Sequence, residues 1–353
     1  MRRSLIALFV AGSLVGIPHA DVGATAKTCV INGKAYTITT TGSGMITGTE
    51  GNDVIAGSNS VDTIYGLGGN DVICGWGGGD YIDGGAGNDR LSSDSGLDTI
   101  KGGDGDDRIY GGSSADWIDG GEGADIIYGG DGNDDLRGGS GVWNDRIYGE
   151  AGDDMIQGRE GDDTLDGGEG NNTIDGSSGN DRILSGRGAD IIDADAGDDY
   201  VTDSGGPNVI NLGSGNDYLS IAWNDPVVTG SFTTQAGQIK IQGGSGNDEI
   251  HGGSLQNLVT GDSGNDTITG GPERDRISGG TGDDVLHGGS HVDSLAGDAG
   301  NDKLYGEAGS RDTMKGGDGN DYLSGGGDFW DACYGDAGTD KAAGDCETVV
   351  GVP

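Results

Sequence analysis

The chain has 353 residues, 80 of them glycine and five proline, and a formal net charge of -41. A chain so acidic and so poor in apolar residues does not bury enough surface in plain water to offset its backbone entropy, so a cation must complete any fold. The sign of the charge excludes nucleic acid and anionic membrane as main partners, and the glycine period of nine excludes collagen.

Residues 1–26 read as a secretory signal, with Arg2 and Arg3 at the positive end and an apolar core from Leu5 to Val15. That core is too short to span a bilayer as a mature helix. Cleavage follows Ala20 or Ala26, and Ala24-Thr25-Ala26 fits the small-x-small rule better. No later segment is apolar enough to cross a membrane, so no membrane insertion is expected. Residues 27–47 are expected to cap the fold, because Asn32-Gly33 suits a tight hairpin between CVI and KAYTI.

From residue 48 an acid recurs every nine residues, at Asp53, Asp62, Asp71, Asp80, Asp89, Asp98, Asp107 and onward. In each unit the first six residues, near G-G-x-G-x-D, suit a turn, because glycine supplies positive φ and close backbone approach. The last three, x-U-x, suit a short strand with its middle side chain inward. That inward place holds Ile55, Ile64, Ile73, Ile82, Leu91 and Ile100. Strands stacked about 4.8 Å apart build two parallel sheets around a thin aliphatic core. The repeats fill 48–220, stop over a motif-free insertion at 221–242, and resume over 243–343, leaving 344–353 as a second cap.

Four cysteines, Cys29, Cys74, Cys333 and Cys346, give an even count in an exported chain and so two disulfides. Three pairings are formally possible. Local pairing, Cys29 with Cys74 and Cys333 with Cys346, is favoured because each bond then pins one end of the repeat array. No C-x-x-C occurs, which speaks against zinc or redox chemistry.

The stretches GGAGND (84–89), GGDGDD (102–107), GGSGND (243–248) and GGDGND (316–321) resemble the G-G-x-G-x-D-x-U-x nonapeptide of RTX, or haemolysin-type, calcium-binding repeat proteins. The cysteines around the last turn resemble the stand-alone secreted type. The resemblance implies an all-β parallel β-roll with eighteen residues per coil. It also implies several calcium ions between coils, held by aspartate carboxylates and glycine carbonyls. The chemistry agrees, since calcium takes six to eight hard oxygen ligands. Stacked aspartates repel until an ion bridges them, so binding free energy becomes folding free energy. Neither a catalytic or pore-forming domain nor a toxin-type C-terminal signal is apparent, so toxin or protease activity is not carried over.

Consecutive turns of such a roll lie on opposite edges. One edge carries Asp53, Asp71, Asp89, Asp107, Asp125, Asp145, Asp163, Asp181, Asp199, Asp217, Asp248, Asp266, Asp284, Asp302, Asp321 and Asp340. Nearly all follow Gly-Asn or Gly-Asp, and these are the candidate calcium ligands. The opposite edge reads NSVD, SGLD, SSAD, GGPN and PERD, with Val61, Leu97, Pro207, Val292 and Trp330 replacing the small polar residue. It is expected to be degraded, with Asp134 and Asp154 as weaker metal candidates. Its apolar residues either reflect drift or dock a partner.

Other chemistry is thin. His251 and His287 fall two coils apart, too far to share a metal, and no histidine stands beside a convincing nucleophile, so no enzyme is expected. The reading is therefore a secreted, monomeric, calcium-loaded roll acting as an extracellular binding or structural module, with a protein or glycan partner. The alternatives are an adhesin or a polysaccharide- or ice-binding surface, and third a polysaccharide-modifying enzyme. For ice binding, the row Asn52, Asn70, Asn88 is broken by Asp106 and Ala124.

Overall fold

The computed structural model describes residues 29–31, 33–36, 38, 40–221, 238–327 and 329–351. The expected signal, and most of the expected insertion, lie outside them. From Thr40 onward, each strand pairs in parallel with the strand one coil further on. Ile55 aligns with Ile73, and Ile73 with Leu91. Ile64 aligns with Ile82, and Ile82 with Ile100. The result is two parallel sheets of 17 strands, a parallel β-roll. Sheet I runs from Thr40–Thr41 to Lys341–Ala342, and sheet II from Met45–Thr47 to Thr348–Val350.

The core is a double file of aliphatic side chains, one per nine-residue unit. Ile55, Ile64, Ile73, Ile82, Leu91 and their successors to Leu323 are buried between the sheets. Two such residues are a thin core for eighteen ordered residues, so the contacts between coils must supply much of the cohesion. Many strands are longer than the three residues expected. Thr99–Asp104, for example, continues through paired glycines, with Gly103 aligned between Gly85 and Gly121. Gly103 has φ +116°, and a Cβ there would collide with the Gly85 carbonyl, whereas Asp262 and Asp298, in the same column, carry their side chains at φ near +70°.

Insertions do not disturb the register. Two extra residues lengthen the step from Ile127 to its partner Ile147. Across the motif-free segment, Ile210 still aligns with Ile241 and Leu219 with Ile250. The expected insertion is shorter than 221–242, because Gln238–Ser245 is already a strand of sheet II. Its Ile239 and Ile241 are buried, so that part of the segment carries a core pattern.

At the N-terminal end, Thr40–Thr41 and Met45–Thr47 form the first rung of each sheet. The antiparallel hairpin Cys29–Ile31 and Lys34–Tyr36 does not lie over the end of the roll. It lies on the outer face of sheet I, against strands Val54–Ala56, Val72–Cys74 and Arg90–Ser95. The reason is that Cys74 occupies an outward place on its strand and is bonded to Cys29. Ile31 packs there with Val72 in a small cluster separate from the main core. The second disulfide joins Cys333 to Cys346, so both pairs are those expected. After it, Thr348–Val350 adds the last strand of sheet II beside Ala332–Tyr334.

Candidate metal sites along the edges

Each turn carries its aspartate inward beneath the coil, not out into solvent. On the edge leading into sheet I, the backbone N–H of each aspartate donates to Oδ1 of the next aspartate on that edge. The ladder runs from Asp53 and Asp71 through Asp89, Asp107, Asp125, Asp145, Asp163, Asp181, Asp199 and Asp217. It continues across the insertion to Asp248, Asp266, Asp284, Asp302, Asp321 and Asp340, with distances of 2.7–3.0 Å throughout. One carboxylate oxygen is thus spent on joining coils. The other, Oδ2, is buried without a hydrogen-bond partner among the described residues at every one of these positions except Asp53 and Asp145.

Each orphan oxygen faces another acceptor. A Cβ built on Gly243 would lie 2.6 Å from Asp248 Oδ2 and 2.7 Å from the Gly261 carbonyl oxygen. Two buried oxygens close to one point repel, and Asp248 Oδ2 lacks a donor among the described residues. At two of the three asparagine places that contact is closed, whereas Asn208 Nδ2 is buried without a hydrogen-bond partner among the described residues. Asn257 Nδ2 donates to the Gly270 carbonyl at 3.1 Å, and Asn172 Nδ2 to the Ser185 carbonyl at 3.4 Å. The aspartate places therefore need a cation or a proton where Asn172 and Asn257 supply an amide donor.

The carboxyl pKa values record the same conflict. Burial, first of all, pushes Asp107, Asp125 and Asp181 up to about 8, against the inter-coil hydrogen bond and with added repulsion from neighbouring aspartates. Among the described residues no three His, Cys, Asp or Glu side chains come close enough to hold a metal between them. A bound ion would therefore draw most of its ligands from backbone carbonyls, which suits a hard cation that tolerates irregular oxygen shells.

The opposite edge is less degraded than its sequence implies. Asp62 through Asp154 form the same ladder at 2.7–2.9 Å, and it continues through Asn172, Asp190 and Asn208. Asp116 is as buried as Asp107, at 3% against 2% exposure, and burial pushes it up to about 7. Asp80, Asp98, Asp116, Asp134, Asp154, Asp190, Asp275 and Asp293 also keep a buried Oδ2 without a partner among the described residues. Asp134 and Asp154 are thus no exception among these aspartates.

What distinguishes the edges is the residue before the aspartate. On the first edge it forms a second ladder running the other way. The N–H of Asn70 donates to Asn52 Oδ1, Asn88 to Asn70, and Asn180 to Asp162, and the pattern extends to Thr339 on Asn320. On the opposite edge it survives only as Asp153 on Asn133, Asn171 on Asp153 and Ala189 on Asn171. Bulky residues such as Val61 and Leu97 have no acceptor for that rung and stand exposed.

Three of the four ladder ends are closed from within the chain, the exception being Asp340. Asp53 Oδ2 accepts from Thr49 N and Oγ1 at 2.6 and 2.8 Å, and Asp62 Oδ2 from Ser58 N and Oγ at 2.6 and 2.9 Å. Threonine and serine stand there in the second place of the unit, usually a glycine. At the far end Glu347 replaces the next aspartate and accepts from Asp331 N–H at 2.8 Å. The histidines do not gather: His251 contacts Glu249 and His287 contacts Glu307.

The family profile of the RTX calcium-binding nonapeptide repeat matches residues 47–82, 83–116, 110–142, 144–174, 166–201, 193–220, 240–254, 260–290, 287–310 and 309–342. The chain belongs to the RTX calcium-binding nonapeptide repeat family. The interruption between 220 and 240 coincides with the motif-free segment. A search of curated proteins returns no match. The orphan Oδ2 atoms and facing carbonyls of these RTX repeats fit calcium by donor type, because every available ligand is an oxygen.

Proposed function

We propose that this RTX chain is an exported calcium-dependent binding or structural module whose roll forms when several calcium ions enter between its coils. The ions would be held by Oδ2 of Asp71, Asp89, Asp107, Asp125, Asp163, Asp181, Asp199, Asp217, Asp248, Asp266, Asp284, Asp302, Asp321 and Asp340. Carbonyls of neighbouring coils complete each shell, and Asp145 joins the set by its place in the ladder. Asp53 is the weakest member, because Thr49 already satisfies its Oδ2. Asp134, Asp154 and the aspartates opposite form a second row with the same chemistry. Calcium supplies positive charge between facing oxygens that otherwise repel.

The observation that carries this reading is the contrast between aspartate and asparagine units. At Asn172 and Asn257 the amide bridges to the neighbouring carbonyl, whereas the aspartate carboxylate lies close to it with no donor between them. Export is supported by the two disulfides, which form in oxidising compartments. The test is far-UV circular dichroism and small-angle scattering of the mature chain in chelator and after calcium is restored. β-structure and compaction that appear only with calcium support the proposal. A full β spectrum in chelator at neutral pH contradicts it.

A further inference from the structure

In a chain with 60 acidic and 19 basic residues, a surface cavity should be lined mainly by carboxylates. One is not. Between the N-terminal hairpin and the outer face of sheet I lies a cavity of about 160 Å³ lined by Ile31, Lys34, Tyr36, Arg90, Arg108 and Tyr110. It has three cations and no acid. Arg90 and Arg108 are aligned on adjacent coils, so their side chains leave the sheet side by side. Lys34 enters from the hairpin, its ammonium 4.9 Å from the centre of the Tyr36 ring. Among the described residues none of the three cations forms an ion pair. Arg90 and Arg108 also border a neighbouring cavity with Asp89, Asp106 and Asp107, yet on this side three cations line one space, where an anion would interact favourably with each.

The walls narrow the class of anion. Tyr110 packs against the hairpin cluster on one side, and its ring stacks on Tyr128 at 4.9 Å. Tyr36 and Tyr110 therefore offer aromatic surface beside the cations, with Ile31 as an apolar floor. Amphipathic rings with charged donors suit a ligand that has both a ring and an oxyanion. The volume lies below that of drug-sized pockets, about 300–1,000 Å³, and limits the ligand to roughly one sugar unit. The hairpin completes the cavity, and the Cys29–Cys74 bond holds the hairpin in place.

We infer that this cavity binds a single acidic sugar unit, one bearing a carboxylate or sulfate group, with Lys34, Arg90 and Arg108 gripping the oxyanion. Arg90 and Arg108 directly follow the ladder aspartates Asp89 and Asp107, so the site requires the folded roll. Isothermal calorimetry on the calcium-loaded, disulfide-intact chain tests it with glucuronate, glucose and inorganic sulfate as probes. Glucuronate should bind at least about tenfold more tightly than glucose, which lacks the charge, and than sulfate, which lacks the ring. The double variant R90Q/R108Q should lose at least about tenfold, as should K34Q. R182Q, further along the same row with its guanidinium over Tyr200, should bind as the parent does. Dichroism of each variant confirms that the roll is intact. No binding of glucuronate, equal binding of glucose, equal binding of sulfate, or full affinity in both K34Q and R90Q/R108Q would overturn the inference.

Discussion

Acid should substitute for calcium in folding this protein. In chelator, each buried aspartate can lose its charge only by taking up a proton. Burial raises Asp107, Asp125 and Asp181 to about 8, and Asp116, Asp145, Asp217, Asp275, Asp284, Asp293 and Asp302 to about 7, from an unfolded value of 3.8. A raised carboxyl pKa means that the folded state binds more protons than the unfolded one between the two values. Metal-free stability therefore falls as pH rises from about 4 through 8, and is greatest below about 4, where the group is protonated in both states. At pH 7 each of these ten groups opposes the metal-free fold by on the order of 4 kcal/mol. A few such penalties suffice to offset the roughly 5–15 kcal/mol by which a folded domain is normally stable. Far-UV dichroism in chelator from pH 8 to pH 3.5 should show β-structure appearing as the pH drops. Sedimentation at each step separates folding from association near the isoelectric point of 4.1. A chain that stays unfolded at pH 3.5–4, or is fully β at pH 8 in chelator, would refute the reasoning.

Asp116→Ala should weaken the calcium-loaded fold about as much as Asp107→Ala, each by roughly 1–3 kcal/mol, because both carboxylates are buried and both accept an inter-coil bond. Thermal melts that show a large deficit for Asp107→Ala alone would restore the idea of a degraded edge. Gly103→Ala forces a side chain into a left-handed position against the Gly85 carbonyl and should cost roughly 1–3 kcal/mol, whereas Gly327→Ala meets nothing within 4 Å and should be nearly silent. Asn172→Asp replaces an amide donor with a carboxylate facing the Ser185 carbonyl, so it should raise the calcium midpoint for folding. An unchanged midpoint would show that this contact is unimportant. Mild reduction should release the hairpin held by Cys29–Cys74, seen as faster amide exchange at Val72, while the repeat β signal persists.

The fold was largely legible because its information is periodic. A nine-residue unit with one inward aliphatic, as in Ile55, Ile64 and Ile73, dictates stacked parallel strands whatever lies between the repeats. The disulfides followed from the placing of cysteines at the two ends. The hairpin was found, yet its seat on the face of sheet I was not, because Cys74 faces outward only once the strand phase is known. The row of aspartates was legible residue by residue. The aspartate ladder on the opposite edge was not, because a bulky neighbour such as Leu97 leaves Asp98 in its rung. The second ladder of Asn52, Asn70 and Asn88 was visible as a recurring letter, and it takes the stacking geometry to make it a chain of hydrogen bonds. Nothing in the sequence marks Thr49 and Ser58, and only their hydroxyls against Asp53 and Asp62 give them meaning.

The central claim concerns what lies between facing oxygens of successive coils, and a crystal structure of the calcium-loaded protein with anomalous scattering from calcium addresses it most directly. The account predicts anomalous peaks between coils beside the Oδ2 atoms, as at Asp107 and Asp125 and again at Asp248 and Asp266. It also predicts that none lies beside the amide of Asn257, where Nδ2 already bridges to the Gly270 carbonyl. A folded roll with calcium elsewhere, or with carboxylates and carbonyls meeting with no ion between them at neutral pH, would contradict it.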